Sequence, residues 1–507
     1  MATSRKIALL FAAENVNAII GWIALLFVAR RMGASAIGEF SYALSIVGAF
    51  TFLAFFGFRM AHVKRISEGL DLGKCIGTFL SIRLFLTSLM LIVFIFSYWF
   101  WTGFLGKELY DIKTPGLLIT IVLYYVIFLI VGVMSATFTG LEQSAKVAIP
   151  NIIGTSLRSF IFIAAAFTGL GVIWLARAYL IGILVIGLMS FWYFRNLPIS
   201  SPDKSTFNSY KTYALPVALA SIFGILRQYF DKIFIGLFWT EYQVGLYFGV
   251  ERIALFIGTM ALAIEGMLLP AISSLHSNKK ELQIKKLIYD TEKYVAMVCI
   301  PVVAMTFVWS SEIILVFISK EFLEANHILK ILVLVALVRV LNRPWSIALR
   351  GSDRPDITSY LSVVMGFLSL LLMLLLIPKK IPQLGLENLG GMGGEGAAYS
   401  ILISDLCGGV FLRLFCYKYL NIRPYSGIFL QIAVASLVVA IMWQLQLAIT
   451  IDRWFELFFV SGLGGLLFLS ILAFLGYFTQ KDITFFWDAV NPKSMKKYID
   501  EELKSEG

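Results

Sequence analysis

Three charged residues fall within six positions of an apolar run: Arg227, Asp231 and Lys232, in the stretch Leu226-Arg227-Gln228-Tyr229-Phe230-Asp231-Lys232. The run extends from about 213 to 239, long enough to cross a bilayer. At the centre of a lone membrane helix each charge costs roughly 2.5–3.5 kcal/mol, so such groups face water, a counter-charge or a ligand. Arg227 and Asp231, four apart, share a helix face, so one reading is an internal pair and the other a set that in part lines a path for a charged substrate. Lys232 points about 100° away, with Gln228 beneath it, and cannot join that face. Cations lining a wet path bind anions. Arginine suits phosphate because its planar fork donates two hydrogen bonds and stays charged.

Other apolar runs carry charges of the same kind. Arg83 lies near enough to a span end to snorkel, whereas Arg158 falls at mid-depth on one face with Asn151 and Thr155. Glu251 offers Lys232 a partner, but Arg252 beside it restores the positive excess, and Glu251, Gly258 and Glu265 form one stripe. Arg339, Asn342, Arg343 and Ser346 share a face, with Pro344 expected to kink the helix. Asp405 is a candidate counter-ion, and Arg413 lies near the inner end of its span. In the first span Glu14, Asn17, Ala18 and Gly21 share a face; Glu14 there suits a proton or sodium site or an arginine partner. With Arg177, the spans hold nine cations against five carboxylates, so internal pairing cannot neutralise them all. The candidate substrate-binding residues are therefore Arg83, Arg158, Arg227, Lys232, Arg252 and Arg339. The candidate ion-coupling or counter-ion residues are Glu14, Asp231, Glu251 and Glu265.

No catalytic site emerges. The sequence has no GxxxxGK[ST] phosphate loop, no zinc-ligand spacing, no triad and no large outer loop with paired acids for acid–base work. His62, His276 and His327 are scattered, and Cys75, Cys299, Cys407 and Cys416 read as small core residues with neither metal nor disulfide role. No cofactor is expected beyond coupling to a proton or sodium gradient. The protein reads as a transporter rather than an enzyme or an assembly scaffold.

The elements that hold these charges are membrane helices. The chain is 59% hydrophobic and 14% charged, against about 45–50% and 25% in soluble domains. Windows of about 20 apolar residues give fourteen spans, beginning near Ile7, Phe40, Ile76, Gly116, Val147, Val172, Tyr213, Gln243, Tyr294, His327, Ile357, Ala397, Gly427 and Phe455. Lysines and arginines outside the spans divide 24 to 8 between the two faces, which places both termini in the cytoplasm. The net charge of +11 therefore reflects membrane orientation rather than nucleic-acid binding. A repeat links Ala36-Ile37-Gly38-Glu39-Phe40-Ser41-Tyr42-Ala43, after the first span, to Gln243-Val244-Gly245-Leu246-Tyr247-Phe248-Gly249-Val250, after the seventh. Six spans apart, the two copies run parallel, an arrangement that puts a substrate site between two bundles.

Ala29-Arg30-Arg31-Met32-Gly33, then Gly38-Glu39-Phe40 and Phe56-Gly57-Phe58-Arg59, resemble the opening of Wzx-type polysaccharide flippases. Leu215-Pro216, Tyr229-Phe230-Asp231-Lys232, Val244-Gly245-Leu246-Tyr247 and Leu269-Pro270-Ala271-Ile272-Ser273 continue the resemblance to about Tyr294. It implies a member of the multidrug/oligosaccharidyl-lipid/polysaccharide (MOP) exporter superfamily: an all-α polytopic protein with two six-helix lobes and two further helices. Applied here, that gives lobes over 1–200 and 201–423, extra helices over 424–480 and a cytoplasmic tail over 481–507. It also implies alternating-access transport of a polyprenyl-pyrophosphate-linked oligosaccharide across the cytoplasmic (inner) membrane of a prokaryote. The partners implied are that carrier, membrane lipids and other envelope-polysaccharide assembly proteins. An ion-coupled multidrug antiporter of the same superfamily is the alternative. The family has no universal site motif, so the site residues above rest on charge and depth alone.

Overall fold

The computed structural model describes residues 2–104, 112–259, 262–382 and 385–477, with their side chains except those of 2–14, 104, 216–217, 259 and 262–267. The expected tail 481–507 and the side chains of Glu14 and Glu265 therefore lie outside the described residues.

Among the described residues the regular elements are helices, as lipid requires of a chain that must satisfy its own backbone. The first half comprises α1 (Ala2–Phe50), α2 (Phe52–Phe55), α3 (Phe58–Ser67), α4 (Leu72–Trp99), α5 (Leu117–Gly140), α6 (Ala145–Thr168) and α7 (Ile173–Phe194). The second begins with α8 (Lys204–Phe238), α9 (Glu241–Thr259), α10 (Leu262–Ser277), α11 (Glu281–Val308) and α12 (Ser310–Ile313). It continues with α13 (Asn326–Gly351), α14 (Pro355–Leu376) and α15 (Gly393–Leu420), and the chain then forms α16 (Gly427–Gln446) and α17 (Trp454–Phe474).

Ten described helices are long and apolar enough to cross a membrane, or eleven if the two segments of bent α8 form one span. Not among them are α13, which carries Lys330, Arg339, Arg343 and Arg350, and the segments α9 and α10, described to Thr259 and from Leu262. The run counted first, Asn15–Phe55, is divided by Gly33 (φ 81°, ψ 176°). Counting those segments as crossings is consistent with the fourteen expected.

Some boundaries differ from expectation. α8 begins at Lys204 rather than Tyr213, and α11 at Glu281 rather than Tyr294; a hydropathy window stops at charge, whereas a helix continues into water. Asp203 caps α8, accepting from Ser205 Oγ (2.5 Å), Thr206 N (2.9 Å) and Thr206 Oγ1 (2.9 Å). Those donors hold its carboxyl down at about 2. α8 bends by 60° between Lys204–Leu215 and Ala218–Phe238, where the sequence has Pro216. α13, by contrast, runs unbroken through Pro344.

In the first half α1 packs on α6, α6 on α7, and α7, α4 and α3 on α5. In the second, α15 packs on α13 and α14, α11 on α13, and α8 on α14; α16 and α17 pack on each other and on α11. The halves meet mainly where α1 crosses α9. There the two copies of the repeat touch. A Cβ on Gly38 would overlap the Glu241 carbonyl and crowd Gly245 N, and one on Gly245 would overlap the Ala34 carbonyl and crowd Gly38 N.

Charged side chains complete this junction by capping helix ends across it. The break at Gly33 exposes the amide of Ala34, which donates to Glu321 Oε1 at 2.9 Å. A π-helical turn, Ile314–Ile318, ends at extended Ser319. Its carbonyls at Val316 and Ile318 each accept from the Arg30 guanidinium at 2.8 Å. Lys113 Nζ meets Glu241 Oε1 at 2.5 Å.

Candidate functional site

A cavity of about 720 Å³ lies between the halves, walled by α1, α6, α8, α9 and α13. Of the six candidate binding cations it brings together five: Arg158, Arg227, Lys232, Arg252 and Arg339. Arg343 joins them, as do the carboxylates of Asp231 and Glu251.

Arg83 is elsewhere. It is buried inside the first half rather than snorkelled to a surface, with Nη1 donating to Ala54 O at 2.6 Å. That carbonyl is free of the helix ladder because α2 ends at Phe55.

The pairings on α8 also differ from the expected ones. Arg227 bonds Asp405 Oδ1 at 2.5 Å, and Arg339 Nε bonds Asp405 Oδ2 at 2.8 Å, so one α15 carboxylate bridges α8 and α13. Asp231 pairs instead with its neighbour: Lys232 Nζ lies 2.9 Å from Asp231 Oδ1, and Lys232 N donates to the same oxygen at 2.7 Å. Nζ also donates to Glu251 Oε1 at 3.1 Å, and Tyr247 Oη donates to Asp231 Oδ2 at 3.1 Å. The four-carbon lysine stem spans the 100° that separates the two Cβ directions, so helical phase alone mispairs this segment. Arg413, expected near a span end, reaches inward to Glu292 Oε1 (2.6 Å) and Asn342 Oδ1 (2.8 Å).

These bonds divide the cavity charge. Asp231, Lys232 and Glu251 form a group of net −1, and Arg227, Asp405 and Arg339 one of net +1. Arg158 and Arg252 then give these described groups a surplus of two positive charges. Neither Arg158 nor Arg252 meets a carboxylate among the described residues. Each lies over an aromatic ring, Arg158 at 4.6 Å from Tyr179 and Arg252 at 4.4 Å from Phe248.

Arg158 is placed by a close helix crossing. Gly154 and Gly182 let α6 and α7 approach until a Cβ on either would crowd the other's carbonyl. This seats Tyr179 under the guanidinium. Gly21 of α1 faces the same group, since a Cβ there would lie 3.8 Å from an Arg158 nitrogen. Asn17 and Trp22 also line the cavity, and Asn17 Oδ1 and Trp22 Nε1 have no hydrogen-bond partner among the described residues, leaving one acceptor and one donor. Trp22 stacks on Phe256 with centroids 5.8 Å apart, bringing α1 and α9 together again. The sequence reading did not select Trp22 or Tyr179; their signal was an aromatic within a turn or two of a polar residue, which is common in membrane helices.

Asp405→Asn keeps one acceptor but removes the charge shared by two arginines. The expected loss of stability is about 1–3 kcal/mol, measurable as a lowered unfolding midpoint in detergent. An unchanged midpoint would show that the bridge does not stabilise the second half.

The fold is that of a polytopic helical membrane protein with a polar chamber between its two halves. The sequence profile of the polysaccharide biosynthesis protein family matches residues 4–276, and the chain belongs to that family. Over 377 residues it is 25% identical to the probable low-salt glycan biosynthesis flippase Agl15 of Haloferax volcanii, an overlap of 74% of this chain and 78% of that one. In structure it is similar to the lipid II flippase MurJ in an inward closed conformation (TM-score 0.71, 18% identity, 92% of this chain and 98% of that one). It is also similar to a multidrug resistance MATE family transporter of the MOP superfamily in its inward-facing conformation (TM-score 0.61, 14% identity, 81% and 95% covered). The resemblance to MOP-type polysaccharide flippases is thus borne out. The relatives are flippases and transporters rather than enzymes.

Proposed function

We propose that this protein is a flippase for a polyprenyl-(pyro)phosphate-linked oligosaccharide, and that the central cavity holds the phosphates while the lipid tail stays in the bilayer. The observation that carries this reading is the pair Arg158 and Arg252, two cavity cations that meet no carboxylate among the described residues. Their charge-assisted hydrogen bonds suit a diphosphate, and Trp22, Tyr179, Asn17 and Gln228 offer stacking faces and polar contacts for sugars. A net positive interior disfavours cationic drugs, and with them the multidrug-antiporter alternative.

In this reading residues 1–200 and 201–423 are the two lobes, and 424–480 adds two helices. Transport proceeds by rocking the lobes about the α1–α9 crossing. By the loop-charge bias, the crossing lies at the outer end of a prokaryotic cytoplasmic membrane, and the termini are cytoplasmic. The Asp231–Lys232–Glu251 group, with Glu14 and Glu265, is where a proton or sodium gradient would couple to that motion. Other envelope-polysaccharide assembly proteins would load and unload the carrier.

The test is translocation of a fluorescent polyprenyl-diphosphate oligosaccharide in proteoliposomes. Wild type should flip it, and Arg158→Gln and Arg252→Gln should each lower the rate about 10- to 100-fold, the equivalent of one lost charge-assisted hydrogen bond. Their melting midpoints should stay at the wild-type value. Wild-type flux in both variants would sink the claim that the cavity reads phosphate, and an inactive wild type would sink the substrate.

A further inference from the structure

We propose a second anion site, inside the first half of the chain, where Arg59, Arg83 and Lys146 hold a phosphate group of the kind a membrane-lipid headgroup carries. A cavity of about 270 Å³ lies there, lined by residues of α2 to α7 and sharing no described lining residue with the central one. Among the described residues its polar lining consists of those three cations with Ser135, Asn151 and Ser190, with no carboxylate. Among the described residues none of the three cations forms an ion pair.

Arg83 makes the strongest case. It is 2% exposed and sits beside the rings of Phe55 (5.3 Å) and Phe79 (5.2 Å). Among the described residues its one bond, to the Ala54 carbonyl, is with a neutral group, and its buried Nε–H has no acceptor. A buried guanidinium that shares a cavity with two further cations is costly without a counter-charge, and an anion in the cavity would supply both the charge and the missing acceptor.

Size and surroundings narrow the ligand. Pockets for drug-sized molecules span about 300–1,000 Å³, so this one suits a phosphate and a few attached atoms, not an oligosaccharide. The rest of the lining, including Phe128, Val131, Ile183 and Ile186, is apolar, and Phe128 is exposed on the surface of α5. A glycerol and acyl chain could leave along that side. The site lies toward the membrane face that carries Lys64, Arg65 and Lys74, residues that attract acidic lipid. A phosphate there would tie α3, beyond the break at Phe56 and Gly57, to α4 and α6.

The experiment is native mass spectrometry of the full chain in detergent, titrated separately with phosphatidylglycerol, phosphatidylcholine and inorganic phosphate. Arg59→Gln combined with Lys146→Gln is the primary variant, because Arg83→Gln also removes the Ala54 cap and can unfold α2. Phosphatidylglycerol should bind wild type more tightly than phosphatidylcholine does, and the double variant should lose at least about tenfold of that affinity. Arg158→Gln, in the central cavity, should keep it. Inorganic phosphate retained by wild type and lost from the double variant, without lipid preference, would support the site and assign it to free phosphate. Equal retention of both ligands by wild type and double variant would overturn the proposal. So would loss of lipid only in Arg158→Gln. Neither reading depends on transport, so the flux assay can fail without deciding this one.

Discussion

Lys232→Gln should destabilise the folded protein by about 3–5 kcal/mol, the usual cost of removing one partner from a buried ion pair. Lys232 is 4% exposed and Asp231 2%, and the ammonium lies within 3.1 Å of two carboxylates. Without the ammonium, Asp231 and Glu251 face each other with neutral donors: among the described residues the Tyr247 hydroxyl and the backbone amide of 232, joined by the uncharged glutamine NH2. The readout is the unfolding midpoint of the purified protein. Adding Asp231→Asn to the same chain should recover part of the loss, because it removes one of the two opposed charges. A single variant that melts with wild type would mean that water already screens the group. The same argument governs how a transport defect is read. A Lys232 variant that fails to flip substrate reports damage to the fold as much as a lost contact, and Arg158 and Arg252 are the cleaner probes of substrate.

Gly38→Ala and Gly245→Ala should each force α1 and α9 apart, toward the about 8–10 Å separation of ordinary helix pairs. At either position a methyl meets backbone, which cannot rotate away as a side chain can. With the crossing wedged, the caps from Arg30 and Glu321 lose their geometry too, since both bridge the same junction. Spin labels at 113 and 241, whose native side chains lie 2.5 Å apart, would report this as a shift to longer distances. Distance distributions identical to those of the glycine parent would show that the crossing does not hold that end shut. Under the flippase reading, translocation should fall as well, because a transporter that cannot close one end cannot alternate.

Much of the fold was legible in the sequence, because apolar length and loop charge carry it directly. Helix starts such as Gly427 and Asn326 fall on or beside the expected ones. The errors arose where charge lies on a helix outside the lipid, as at Lys204 and Glu281. In the site, charge and depth alone selected Arg158, Arg227, Lys232, Arg252 and Arg339, which share one cavity. Arg83, selected with them although it reads as near a span end, lies in another, because position along a helix does not say which neighbour a side chain faces. The pairing error has a similar cause. Helical phase ranks Asp231 as the partner of Arg227, but Asp405 arrives from a helix 178 positions away. Long-range partners leave no local trace.

The reciprocity of the Gly38–Gly245 contact has an evolutionary consequence. Each glycine sits at the corresponding place in its own copy of the repeat, and each is closed over by backbone next to the other. That is the form of an isologous interface, in which one patch is complementary to itself about a two-fold axis. A single half-length ancestor could have paired with a second copy through this same patch. After fusion the two positions remain constrained together: bulk gained at one must be balanced by space made beside the other, so they should drift as a pair.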